Sequence, residues 1–346
     1  MSEGLPLREE VPVRETWDLK DLFTSDQAFY QTLEQVVQMS LDFNHTYYQK
    51  LNNIEIIEKA LDEYERILIE IDRLYNYPEL RLSVDTSNEE AQKVNAKLNT
   101  TSGKLAGLLS FVDSEILELS DDKISELRSR TKYPHFIKQL QDRKPYQLSA
   151  DVEKVLATLT PTLRSPFELY GTTKSLDINF ESFDYEGVTY PLDYATFENE
   201  YEDHPSPEFR RKSFRAFSDA LRQYQHTTAA TYNMQVQQEK IEADLRGYDS
   251  VIDYLLQDQE VTKDMFDRQI DVIMSDLAPV MQKYAKIIQR VHNLDKMRFE
   301  DLKISIDPNF EPEISIEKSK KYIYGALNVL GDDYVKMLES AYDYRW

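Results

Sequence analysis

Apolar residues recur at intervals of three and four through most of this sequence, and that period commits the chain to helix. Phe29, Leu33, Val36, Val37 and Leu41 mark a first helix. It opens after Ser25, whose hydroxyl is placed to accept a free backbone N–H of the first turn. Ile54, Ile57, Leu61, Tyr64, Leu68, Ile71 and Tyr75 mark a second, which Pro78 is expected to interrupt or end. A third pattern runs from Asn88 to about Leu119 through Val94, Leu98, Leu105, Leu108, Leu109, Val112 and Ile116. Gly103 and Gly107 stand four apart inside it. The charges of Lys97, Lys104 and Asp113 around them argue for close packing of two helices rather than a membrane dimer. Shorter helices are expected near 121–130, 134–143 and 149–160, separated by proline-containing boundaries.

The period fails between 176 and 192. Two β-rich runs there flank Glu186-Gly187, where glycine accepts the positive φ of a tight hairpin. Helix resumes with Ser206 as N-cap and Pro207 at the first helical position, and continues toward or beyond residue 240. Tyr254, Leu255 and Leu256 form a short apolar patch. A further helix is expected over 262–291, with Pro279 as a source of a kink, and another from Ser315 to Leu330, where Gly331 suits the position after the last turn. The final stretch is amphipathic through Tyr334, Val335, Leu338, Ala341 and Tyr342, and no Gly, Asn or Pro closes it. Residues 1–15 read as a polar lead-in and 293–313 as irregular and acidic.

Only 8 of 346 residues are glycine, too few turns for an all-β sandwich or barrel. The formal charge of −22 repels phosphate backbones and anionic lipids, so neither nucleic acid nor a bare membrane is an expected partner. No run approaches the length of apolar sequence needed to cross a bilayer. The absence of cysteine removes disulfides and thiolate chemistry together and fits a reducing, cytoplasmic compartment.

Catalytic constellations are missing from the sequence. The five histidines (His45, His135, His204, His226, His292) are never within five residues of one another, and no HExxH occurs. A helical zinc site needs two histidines four apart so that both imidazoles face one ion. No GxSxG elbow and no glycine-rich phosphate loop is present. His226, near Tyr224 and Tyr232, is expected to be a partly buried, hydrogen-bonded side chain; His204 reads as a loop residue and His135 as a helix-start residue. No residue is assigned a catalytic or metal-binding role.

Several segments, in order, resemble oligoendopeptidase F and its relatives in the thimet-oligopeptidase superfamily of zinc peptidases. TWDLKDLF (16–23) looks like that family's N-terminal signature. FDYEGVTYPL (183–192) and HPSPEFRRKSFRAFSDAL (204–221) are similar to its hairpin and the Arg-rich helix that follows. EADLRGYDSVIDYLL (242–256) resembles its R-G-Y segment, and ALNVLGDDYVKMLESAYDYRW (326–346) the region shortly before its zinc helix. The resemblance implies a mostly α fold: a multi-helix peptidase N-terminal lobe with one small β-hairpin near 178–192. It divides the chain into a helical lobe (1–113), a helical segment with the hairpin (114–192), and the first part of a metallopeptidase domain (203–346).

The family hydrolyses short peptides with a zinc ion held by an HExxH helix and a downstream glutamate. Those ligands and the general base are expected beyond the last residue here, so this chain is expected to bind no zinc and to be inactive alone. A C-terminal catalytic half becomes an expected partner, alongside short peptides. Without it, Tyr334, Tyr342 and Trp346 are expected to face water. Arg246 and Tyr248 match the R-G-Y segment and are candidates for lining a peptide channel; the plainer expectation is that Arg246 pairs with an acid and Tyr248 packs in the core. The alternative to an enzyme fragment is a non-catalytic helical peptide-binding or remnant protein. A coiled-coil adaptor is disfavoured because the apolar spacing is not sustained over enough heptads.

Overall fold

A computed structural model describes residues 8–307, 310 and 312–346. Residues 1–7 of the polar lead-in, and 308, 309 and 311 of the acidic stretch, lie outside the described residues. The helices are α1 (Asp26–Tyr47), α2 (Ile54–Val84), α3 (Glu89–Leu109), α4 (Phe111–Leu117), α5 (Asp121–Arg130), α6 (Pro134–Arg143), α7 (Ala150–Leu163) and α8 (Ser165–Thr172). A hairpin of β1 (Phe183–Tyr185) and β2 (Val188–Tyr190) follows. Then come α9 (Tyr194–Thr196), α10 (Pro207–Gln223), α11 (Gln225–Arg246), α12 (Val251–Gln257), α13 (Lys263–Val272), α14 (Ala278–Val291), α15 (Ile316–Leu327) and α16 (Asp332–Asp343). The mostly helical class with one small hairpin is what the structure shows.

Two compact units share the chain. The first, here the helical unit, comprises Lys20–Leu176 and Thr227–Phe266; the second, the hairpin unit, comprises Met1–Leu19, Asp177–His226 and Asp267–Trp346.

In the helical unit the expected stripes of α1 and α3 supply the core: Phe29, Leu33 and Val36, and Val94, Leu98 and Leu105, are buried. On α2 the expected line holds only at Ile57 and Leu61; beyond them the buried residues are Ile67 and Leu74, Leu68 is exposed, and Tyr64, Ile71 and Tyr75 are partly so. Ser25 caps α1 by accepting from Ala28 N–H at 3.2 Å. Pro78 does not end α2: it is buried inside a helix of 31 residues. The missing N–H is tolerated because the turns on either side of it are anchored to α1, Tyr77 Oη and Arg81 Nη1 both donating to Asp26 Oδ1 at 2.9 and 2.5 Å. The third pattern is broken at Ser110, between α3 and α4. Gly103 and Gly107 do mark a close helix contact: a Cβ on either would lie 2.7 Å from an oxygen of Thr158 on α7.

The hairpin forms where expected, pairing Phe183 with Tyr190 and Tyr185 with Val188. Glu186 and Gly187 turn it at φ 49° and 82°, the two positive values that match the twist of the strands. Ser206 caps α10 by accepting from Phe209 N–H at 3.3 Å, with Pro207 opening the helix. Phe209 sits under the hairpin with its ring edge-on to Phe183, Tyr190 and Tyr201 at centroid distances of 5.4, 4.9 and 5.2 Å. Next to it, Arg210 and Asp301 form an ion pair shut off from solvent, Arg210 Nη2 and Nε donating to Asp301 Oδ1 at 2.6 and 3.2 Å. Arg210 Nη1 spends its remaining donors on the carbonyls of His204 and Pro205.

Other expectations are corrected. A break at Tyr224 separates α10 from α11 and takes His226 off the packed stripe, so His226 is exposed rather than partly buried. The helix over 262–291 is interrupted by a wide π turn, Ile273–Leu277. Pro279 cannot donate to the carbonyl one turn back, and the wider turn takes up that loss. The last helix is closed after all: Arg345 takes φ 58° and Trp346 N–H donates to Ala341 O at 2.8 Å, a left-handed end of the kind glycine usually makes. Trp346 is exposed, but Tyr334 and Tyr342 are only partly so, Tyr342 packing edge-on against Tyr324. The larger bare apolar surface of this unit lies over 270–291, where Met274, Val280 and Met281 are each more than half exposed.

Replacing Arg210 with Met takes both short bonds from the buried Asp301 carboxylate and leaves it only the more distant Arg211 as counter-ion, at 3.5 Å. The expected loss is about 3–5 kcal/mol in the hairpin unit, read as a lowered urea midpoint by tryptophan fluorescence. An unchanged midpoint would show that the pair carries no net stability.

Candidate functional site

The second segment of the helical unit returns to its first segment at the R-G-Y sequence. Arg246, the last residue of α11, donates from Nη1 and Nη2 to the two oxygens of Glu153 on α7 at 2.7 and 3.0 Å. Such a fork is planar and doubly bonded, so it fixes direction as well as distance. Burial works to raise the Glu153 pKa, but the Arg246 bonds and the Leu148 N–H outweigh it and hold the carboxyl below its ordinary value. Gly247 has φ 79° and turns the chain directly after the fork. Tyr248 is thereby laid on Tyr146, ring centroids 3.7 Å apart and nearly parallel. Its hydroxyl pKa is raised by burial and by Tyr146.

These side chains wall a cavity of about 500 Å³. Its other walls come from α2, α3, α4 and α12, including Tyr64, Tyr75, Leu109, Leu117 and Tyr254. A volume of this order holds one or two amino-acid residues of a ligand. The lining mixes leucine and tyrosine surface with acids: Asp113, Glu153, Glu242 and Asp258 against the two cations Arg143 and Arg246. Glu242 accepts from Tyr254 Oη at 2.7 Å and Asp258 reaches Arg143 at 3.5 Å. Asp113 is different. It makes no hydrogen bond or ion pair among the described residues, and burial pushes its pKa up to about 6 even though Arg143 pulls the other way.

Both candidates drawn from the R-G-Y segment thus line one cavity, and both also do what the plainer expectation gave them: Arg246 pairs with an acid and Tyr248 is buried. Asp113, Glu153 and Tyr146 were not singled out from sequence. For Asp113 a signal existed, since it falls four residues after Leu109 and three before Ile116, on the apolar stripe. For Glu153, distant in sequence from its partner, there was none.

Comparison with known families matches residues 115–180 to the oligopeptidase F model and residues 201–327 to the peptidase family M3 model. The oligopeptidase PepF of Bacillus subtilis (strain 168) is 25% identical over 347 residues, covering 99% of this chain. The chain belongs to the oligopeptidase F group of peptidase family M3. The oligoendopeptidase F homolog of Lactococcus lactis subsp. lactis is 23% identical and covers 98% of the chain. The chain spans about half the length of these curated relatives, 52% of the first and 57% of the second. The crystal structure of oligoendopeptidase-F from Enterococcus faecium shares the fold of this oligopeptidase F-group chain, with a TM-score of 0.72 at 22% identity over 91% of this chain and 61% of that one.

Membership of this group raises the question of a zinc ion. Among the described residues no three His, Asp or Glu side chains converge where a metal could sit. His135 faces Glu260 at 3.0 Å, His292 Nε2 lies 2.7 Å from Ser305 O, and His45 and His226 are exposed. His204 stacks on Phe209, and burial holds its pKa below the ordinary imidazole value, with Arg210 adding to the effect. The described side chains do not fit the ion. No helix among the described residues is long and apolar enough to cross a membrane.

The shift at Asp113 carries a sign. Its charged form is disfavoured in the fold, so the helical unit is most stable when Asp113 is protonated in both states and loses stability as pH rises from 3.8 through about 6. Asp113→Asn is expected to be the more stable protein near neutral pH, by on the order of 3 kcal/mol at most. Below about pH 4 the two should unfold alike. Thermal unfolding across this range checks it; a variant no more stable at neutral pH would mean the carboxylate is better solvated than its place in the cavity implies.

Proposed function

We propose that this chain is the peptide-binding portion of a zinc metalloendopeptidase that hydrolyses short peptides in the cytoplasm, and that its 346 residues bind peptide without cleaving it. The observation that carries this reading is the match to oligopeptidases along nearly the whole chain, together with a residue-sized cavity at the R-G-Y segment. In this reading Arg246 and Tyr248 shape the wall against which peptide lies, Arg246 by holding Glu153 and Tyr248 by its stacked ring. By resemblance to the family, residues 1–113 correspond to its helical lobe, 114–192 to its helical segment with the hairpin, and 203–346 to the leading part of its peptidase domain, a division that does not follow the two compact units.

In this reading the zinc ligands and the general base are not among these residues, whose sequence has no HExxH. Without a metal-bound water there is no nucleophile at neutral pH and no Lewis acid for the scissile carbonyl. The bare apolar face over 270–291 supports a further polypeptide, the catalytic half, as its partner.

The test is a quenched fluorogenic peptide incubated with the pure chain, with and without added zinc and a chelator, beside a direct titration of the same peptide. Saturable binding with no turnover is expected. Chelator-sensitive turnover would overturn the claim of inactivity. Absence of binding would favour a remnant without peptide affinity.

A further inference from the structure

We infer that the cavity of the helical unit is a receptor for a primary ammonium carried on a short apolar stem, with the Asp113 carboxylate as its counter-ion. Of the four acids in the lining, three already have partners: Glu153 holds Arg246, Glu242 accepts from Tyr254, and Asp258 faces Arg143. Asp113 faces the cavity with none among the described residues. The Tyr64 hydroxyl likewise makes no hydrogen bond among them, and the two groups are close enough for the Asp113 charge to help raise the Tyr64 pKa, after burial itself. An acceptor-only carboxylate beside a hydroxyl that can also accept is a receptor for a donor group.

The charge balance selects the sign. Four carboxylates against two guanidiniums, both of them engaged, leave a negative field that favours a cation and repels a carboxylate terminus. The walls select the kind of cation. A metal ion would want several oxygen ligands, and only one free carboxylate is on offer. Leucine surface from α3 and α4 suits an alkyl stem, and the faces of Tyr64 and Tyr75 suit an ammonium. An unpaired, half-buried carboxylate on a cavity wall costs stability, and such groups gather where ligands are bound.

The ammonium of a peptide N-terminus and that of a lysyl side chain share this chemistry. That the ammonium belongs to a peptide rests on the function proposed above; its recognition does not.

The test is calorimetric titration of the full chain at near-neutral pH with n-butylamine, and with n-butanol as its uncharged counterpart. The amine is expected to bind at least roughly tenfold more tightly than the alcohol, as a charge-assisted hydrogen bond requires. Asp113→Asn, its fold verified by circular dichroism, should bring the amine down to the level of the alcohol. Equal binding of amine and alcohol, or an amine affinity unmoved by the substitution, overturns the inference. Three leucyl-alanyl peptides then identify the source: one with a free N-terminus, one N-acetylated, and one N-acetylated with a lysine added. If butylamine binds through Asp113 and none of the peptides does, the ammonium receptor stands and the peptide-binding function falls.

Discussion

The fork between Arg246 and Glu153 is the contact on which the cavity depends. It joins residues 93 apart in sequence, one from each of the two segments that make up the helical unit. Tyr248 is placed by it, through the turn at Gly247, and so is the stack on Tyr146 that forms one wall. A lysine at 246 would keep the charge but lose the planar double bond, and with it the direction of the turn that follows. The fork and the Leu148 N–H together occupy both oxygens of Glu153, and Asp113 remains as the uncommitted acid of the lining.

Signals confined to a few neighbouring residues were legible in the sequence. Ser25, and Ser206 followed by Pro207, cap their helices as their chemistry dictates, and Glu186-Gly187 makes the hairpin turn. The stripes of α1 and α3 gave the core because burial follows helical period, whereas on the long α2 the buried line drifts from Ile57 and Leu61 to Ile67 and Leu74, away from the expected Leu68 and Tyr75. Pro78 was misleading because tertiary anchoring on both sides overrides a local breaker. The closing of the last helix by Arg345 was hidden, since a left-handed arginine has no compositional mark. Long-range polar pairs were not legible either. Arg210 and Asp301 lie 91 residues apart in a chain with 63 acids, and nothing in the sequence selects one acid from the rest.

The hairpin unit and the helical unit treat buried charge differently. In the former, Arg210 is satisfied on every side, by Asp301 and by two carbonyls, so the charge is part of the scaffold. In the latter, Asp113 is left without a partner at the edge of an open space. A satisfied pair rigidifies, whereas an unsatisfied charge is held at a cost that protonation or a ligand removes.

The path of the backbone through the two units has a consequence for biogenesis. Neither unit is a continuous run: the helical unit lacks Thr227–Phe266 until well after the first strand of the hairpin has been made. On the ribosome, therefore, the glutamate at 153 must wait in an unfinished bundle for nearly a hundred residues of synthesis before its arginine emerges. No proteolytic cut at a single point can release either unit whole.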